Sequence, residues 1–349
     1  MFLVIALLIP LLLPQTDYKS RVQAVTHTKG FAALWDFVKR DSPNGRFDAW
    51  KPASEKADLR LDALNYIQQY WGEGRPATYA DIPVVNEGPF GQAIALPAVS
   101  DPTFRPLLLV PRERLHSSGI DAKGPNRSVT LVVWIKRNPD SGTHAVAGIW
   151  HEGTDLKDHG SQATRVEQGR RQYALFAGLA ANPGAAAGHI SDNGASSFND
   201  KYARHIGVTQ AKIPTGEWAS IALVFDNPRD RVTCYINGQT ADYWIEDPAR
   251  HPFFQWAARA WERDEYRPPK QYIRLKDNKL HALRVNPYWF PFDLYNPATP
   301  EQGGPFTIGR VIHMGRNPSS PGTIGGVAVF SRALSAKDLR RIAFNSALQ

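Results

Sequence analysis

A single cysteine, Cys234, stands in the 349 residues. One thiol excludes an intrachain disulfide and any zinc site built from several cysteines. The apolar N-terminus, Met1–Leu13 (MFLVIALLIPLLL), falls short of the roughly 20 residues an ordinary membrane span needs. No dense run of one charge occurs. Arg165, Arg170 and Arg171 share one stretch and Arg340 and Arg341 are adjacent, so the net charge of +8 reads as solvated surface and not as a nucleic-acid footprint. Signatures of catalysis are missing as well: there is no G-x-S-x-G elbow, Walker loop, H-E-x-x-H or G-x-G-x-x-G. Internal repeats, heptads and low-complexity tracts are absent.

What remains is the composition of a folded protein, 42% hydrophobic and 21% charged. Glycine and proline, 27 each, are scattered, which favours many strands joined by turns. Residues 1–16 fit the apolar core of a secretory signal or an N-terminal membrane attachment, although no Lys or Arg precedes the run and no A-x-A site follows it. Export to a periplasmic, extracellular or membrane-attached location is the expectation. Residues 17–29 read as a polar linker, and residues 30–346 as one sandwich.

Several segments alternate as strands do. In SVTLVVWIK, Val129, Leu131, Val133 and Ile135 share one face, and Thr130, Val132, Trp134 and Lys136 the other. WASIALVFD groups Ile221, Leu223 and Phe225. RVTCYINGQTA breaks at Asn237-Gly238, a two-residue hairpin turn whose central residues need positive φ. Counting outward pairs Ile236 with Gln239, Cys234 with Ala241 and Val232 with Tyr243 on a dry face. Tyr235 opposite Thr240, and Thr233 opposite Asp242, then form a wetter one. A hairpin with one dry face belongs to an antiparallel sheet packed on one side. The 57–72 stretch reads ambiguously as strand or short helix, with the helix favoured. Residues from about 248 to 305 interrupt the rhythm as a long aromatic-rich insertion with its own packing. Ser335 as N-cap, Asp338 three residues on and the Leu334/Leu339 staple predict a short C-terminal helix.

Two polar loops and four aromatics are the candidate ligand-binding residues. WHEGTDLKDHG offers Trp150, His151, Glu152 and Asp155, with Asp158 and His159 behind them; calcium is the one cofactor such an oxygen-rich loop would take. A capped polar loop accounts for the same residues without a ligand. Asp192 and Asn193 open the second loop, where Asx turns are the bland alternative. Trp244, Trp256, Trp261 and Trp289 suit stacking on sugar rings, a protein contact or packing within the insertion.

The order of SVTLVVWIK, EWASIALVFDNPRDRVTCYINGQ, FTIGR and GTIGGVAVFSRALSAKDL resembles the LamG-like (laminin G-like) family of the concanavalin A-like lectins and glucanases. Trp218, Asp226, Tyr235, Asn237, Gly238, Gly309, Arg310, Leu334 and Ser335 sit where that family's features fall. The resemblance implies an all-β antiparallel jelly-roll β-sandwich that presents loops to a glycan or protein partner. Where the last strand of relatives carries Ile-Asp-Glu/Asp, this chain has Ile324-Gly325-Gly326, so no calcium site is carried over. Glucanases of the superfamily place Glu-x-Asp-x-Glu along one strand. Here only Glu262 and Asp264 approach it, with Tyr266 third. The expectation is a non-catalytic lectin-like module. A structural subunit of a larger extracytoplasmic or membrane-attached assembly, and a glycosidase with unrecognised carboxylates, are the alternatives.

Overall fold

The computed structural model describes residues 15–42, 45–139, 142–152, 170–179, 181–194, 205–312 and 321–344. Two antiparallel sheets stack face to face. Across the larger run Tyr243–Glu246, Lys279–Asn286, Tyr288–Trp289, Arg231–Ile236, Trp218–Asp226, Val129–Arg137, Gly322–Phe330, Ala93–Ala95 and Val84–Val85, with Phe31–Trp35 and Ile273–Lys276 joined at its flanks. The smaller follows the order Ile206–Lys212, Asn182–Ile190, Arg170–Leu179, His144–His151, Phe306–Ile308, Pro106–Val110 and Asp62–Asn65. The chain crosses repeatedly between the layers, so the architecture is the expected all-β sandwich. Among the described residues five short α-helices decorate it: α1 Gln15–Thr26, α2 Tyr66–Trp71, α3 Arg112–Leu115, α4 Gln255–Glu262 and α5 Ala336–Arg341.

Alternation decides what lies between the sheets. Val129, Leu131, Val133, Ile135, Ile221, Leu223, Phe225, Val232 and Cys234 all point into the main core, with Ile236 half-buried at its edge. Gly188 sits opposite, where a Cβ would come within 2.5 Å of Leu223 Cδ1 and 2.9 Å of Cys234 Sγ. The layers approach closely there because that side chain is missing. The thiol donates to the Gly207 carbonyl at 3.1 Å, and burial pushes its pKa up to about 12, so Cys234 is a packing residue.

The other face of the larger sheet is not wet. Val132, Trp134, Ala222, Val224, Ala328 and Phe330 form a second apolar cluster covered by Val22 and Val25 of α1 and by Leu339 and Ile342 at α5. The Trp134 indole donates to the Ile342 carbonyl at 2.9 Å. Tyr235 packs half-buried against this cluster and Thr233 is buried, which corrects the expected wetter face. The 17–29 stretch is likewise no linker: its helix α1 is docked, with Tyr18 donating to Asp36 at 2.8 Å and Arg21 to the Pro89 carbonyl at 3.0 Å. The expected C-terminal helix forms with its Ser335/Asp338 capping box.

The hairpin turn forms, with φ of 53° at Asn237 and 67° at Gly238, and Ile236 faces Gln239. Its second arm then leaves. Tyr243–Glu246 pairs with Lys279–Asn286, and Val232 pairs with Tyr288 instead of Tyr243. The Asn286 side chain takes over the vacated ladder: Oδ1 accepts from Cys234 N–H at 2.9 Å, and Nδ2 donates to the Cys234 carbonyl at 3.2 Å. A side-chain amide reproduces the donor–acceptor pair of a backbone, so the backbone groups of Cys234 stay paired without a continuous partner strand.

The 248–305 stretch does not pack by itself. It supplies strands Ile273–Lys276, Lys279–Asn286 and Tyr288–Trp289, and its Phe254, Trp256, Tyr266 and Leu283 join the main core. The ambiguous 57–72 stretch resolves into both readings, strand Asp62–Asn65 followed by α2, whose N-cap Asn65 accepts from Ile67 N–H at 3.2 Å.

Candidate functional site

A cleft of about 760 Å³ opens on the outer side of the smaller sheet. Asp62 and Leu64 on the edge strand, and Gln69 and Tyr70 of α2, line one side of it. Arg112, Glu113 and His116 line it along α3, Pro300, Glu301 and Gly303 on a third side, and Arg170 at the start of its strand. Tyr70 is half-buried, and its ring meets the His151 ring edge-on at 4.8 Å. The cleft therefore meets His151, one of the residues singled out in the sequence.

Behind its wall lies a polar network. Asp121 receives Arg112 in two hydrogen bonds of 2.7 and 3.1 Å, the Gln172 amide at 3.0 Å and Lys123 at 2.6 Å. Burial pushes the Asp121 carboxyl up, but the hydrogen bonds from Arg112 and Lys123 outweigh it, and the group stays below its ordinary range. A Cβ at Gly303 would fall 2.2 Å from Arg112 Nε, so a residue without a side chain lets the guanidinium lie against that wall. Asp62 in the cleft is ion-paired with Arg46 at 3.3 Å and with Arg114. The Glu301 carboxyl is held below its ordinary range by a hydrogen bond from the Thr299 side chain.

Trp150, His151 and Glu152 are buried, not presented at a loop tip. The Trp150 indole donates to Glu152 at 3.3 Å, Arg171 pairs with Glu152 at 3.1 Å, and the guanidinium carbon of Arg171 lies 5.0 Å from the Trp150 ring centroid. His189 packs edge-on against Trp150 at 5.3 Å. Burial depresses the pKa of both His151 and His189 to about 3, so both rings are neutral at pH 7. Trp150, His151 and Glu152, expected as ligand contacts on an exposed loop, are instead buried, and of the three His151 meets the cleft through Tyr70. Asp155, with Asp158 and His159, lies outside the described residues.

Asp192 is half-buried and burial raises its carboxyl pKa, while the Asn193 N–H donates to the Ser191 hydroxyl at 3.4 Å in a local turn. The aromatics of the insertion do not converge on the cleft. Trp256 is buried against Tyr266 at 5.0 Å and His205 at 5.7 Å, which removes it as a ligand platform. Trp289 packs on Tyr266. Trp261 is covered by Arg267 at 3.9 Å and donates to the Asn278 carbonyl at 3.0 Å, and Trp244 is covered by Arg274 at 4.2 Å. Each satisfies its face or its indole within the protein. Among the described residues no group of three or more metal-ligating side chains converges, so the calcium expectation finds no cluster there.

Sequence reasoning did not pick out Tyr70, Arg112, Glu113, His116 or Glu301. Their signals were slight: an aromatic pair at the end of a possible helix, and a Gly-Gly pair set among prolines.

No protein-family model matches the chain, so the LamG-like resemblance remains one of motif order, and no curated protein is significantly similar to it. Among solved structures the chain is similar to domain 4 of AbnA, an extracellular GH43 arabinanase from Geobacillus stearothermophilus, in complex with arabinotriose. That likeness has 16% identity and a TM-score of 0.44, over 90% of this chain and 98% of that one. It is also similar to a structure of botulinum neurotoxin type C, whose cell entry depends upon interaction with two ganglioside molecules (10%, TM-score 0.41, 91% of this chain and 51% of that one). A third is the binding domain of botulinum neurotoxin DC with rat synaptotagmin II (9%, TM-score 0.40, 91% and 51%). This chain spans about half the length of the toxin chains.

Proposed function

We propose that the chain is a non-catalytic module that binds a glycan in the cleft lined by Tyr70. The observation that carries this reading is the pairing of a half-buried aromatic ring with hydrogen-bonding groups of both kinds in one open cleft of about 760 Å³. A sugar presents an apolar C–H face and hydroxyls that donate and accept, and such a cleft answers both. Two of the three cleft carboxylates, Asp62 and Glu301, support binding over hydrolysis. A glycosidase needs one carboxyl raised so that it can donate a proton. Asp62 is tied to two arginines, and Glu301 is lowered, not raised. The reading goes with export of the protein, motivated by the apolar Met1–Leu13 run. Glycan arrays probed with and without calcium test the binding. Silence in both arms overturns it, and so does turnover of any bound oligosaccharide.

A second reading, a structural subunit bound to a protein partner, is favoured by Leu275. It is 47% exposed between Arg274 and Lys276 on the flanking strand Ile273–Lys276. A protein that copurifies from native membranes and is lost in Leu275→Glu supports it; a monomer after mild detergent extraction removes it.

A further inference from the structure

A second basin of about 450 Å³ lies beside the cleft, lined by Pro52, Ser54, Glu55, Lys56, Ser117 and Gly119. Among the described residues, His116 alone lines both hollows. We infer that the two are halves of one groove that takes a glycan chain of several sugar units, crossing the saddle at His116; this rests on the glycan-binding reading above. Each hollow alone falls within the roughly 300–1,000 Å³ of a small-ligand site, so a ligand filling both is longer than one or two sugars.

The saddle and the second floor are built before any ligand arrives. His116 Nδ1 lies 2.9 Å from the Ser117 hydroxyl, and Ser117 holds a left-handed φ of 64°. That contact orients the exposed imidazole ring. The Glu55 carboxylate accepts from Gly119 N–H at 2.7 Å and Ala57 N–H at 2.8 Å. The first bond ties the 52–57 loop to the 116–119 turn and the second holds the loop's own bend, so ordering the basin adds little to the cost of binding. The basin's Ser54, Lys56 and Ser117 are exposed polar groups, suited to the hydroxyls of a sugar chain.

The test is titration calorimetry with arabino-, xylo- and cello-oligosaccharides of two and six units. In the wild-type chain the six-unit member of the series that binds is expected to be about tenfold tighter than the two-unit member, or more, as a second set of contacts adds to the first. Ser54→Trp, which fills the second basin from its exposed rim, is expected to bring the six-to-two affinity ratio close to one. Lys56→Ala, at an exposed side chain and without added bulk, is expected to reduce the ratio several-fold. Equal affinities for two and six units in the wild-type chain overturn the groove and leave the cleft standing. A ratio unchanged in both variants does the same. No binding at any length overturns the glycan reading itself, and the groove with it.

Discussion

Removing the Asn286 amide should unlatch the sheet at the point where the hairpin arm departs. The side chain is fully buried and makes four contacts: with Cys234 N–H at 2.9 Å, the Cys234 carbonyl at 3.2 Å, the Thr240 hydroxyl at 2.9 Å and the Ala241 carbonyl at 3.3 Å. In Asn286→Ala the Cys234 carbonyl keeps its bond from Thr240, at 2.9 Å, but the Cys234 N–H has no partner. A buried unpaired donor costs about 1–3 kcal/mol, and the small void adds about 1 kcal/mol, so a loss of about 2–4 kcal/mol is expected. Asn286→Asp sharpens the test. One carboxylate oxygen can still accept from Cys234 N–H, but the other faces two carbonyls and must be protonated to donate. Its folded-state pKa is then raised above the unfolded value near 4. A raised carboxyl keeps its stability at low pH and loses it as pH rises, so the deficit relative to wild type should be larger at pH 7 than at pH 4.5. Urea unfolding at both pH values measures this, with Gln239→Ala at the exposed turn as control. A loss under about 0.5 kcal/mol in Asn286→Ala, or an equal deficit at both pH values in Asn286→Asp, refutes the substitution of ladder by side chain.

Tyr70→Ala should weaken glycan binding about tenfold or more, roughly 1.4 kcal/mol, in calorimetry, with the fold retained by circular dichroism; unchanged affinity would move the site elsewhere. Acid should weaken the fold through His151 and His189, whose folded pKa values of about 3 lie below the unfolded value. Above pH 6.5 neither ring costs anything; as pH falls toward 3 the unfolded chain takes up protons the folded one refuses. Between pH 6.5 and 4.5 each ring accounts for about 2–3 kcal/mol, and His189→Leu should flatten that slope in denaturant titrations. Gly188→Ala forces a methyl against Leu223 and Cys234 and should destabilise by about 1–3 kcal/mol, read from the unfolding midpoint.

Local pattern carried far where its period was clean. The alternating faces of Val129–Lys136, the Asn237-Gly238 turn and the Ser335/Asp338 cap each rest on residues within one or two turns of each other, and each is present in the structure. The candidate site was less legible. Arg112, Asp121 and Gln172 are separated by up to 60 residues and meet only because the strand that begins at Arg170 lies beside α3. Trp150 and His151 looked like loop residues because they end a strand, yet they are buried at its end.

The sequence by itself determined the sheet class and the inward set Val232, Cys234, Leu223 and Phe225, because a period of two assigns faces without reference to any partner. Which face would meet water was not local information. The outer face of the larger sheet is dry because α1, a helix of polar sequence, lays its buried Val22 and Val25 on it, while α5 arrives from more than 300 residues further along. The exchange of a strand arm for the Asn286 side chain, and the meeting of Tyr70, Arg112, His116 and Glu301 around one cleft, were likewise decided by tertiary packing. Hydrogen-bond satisfaction and burial are properties of the assembled layers, and no single segment contains them.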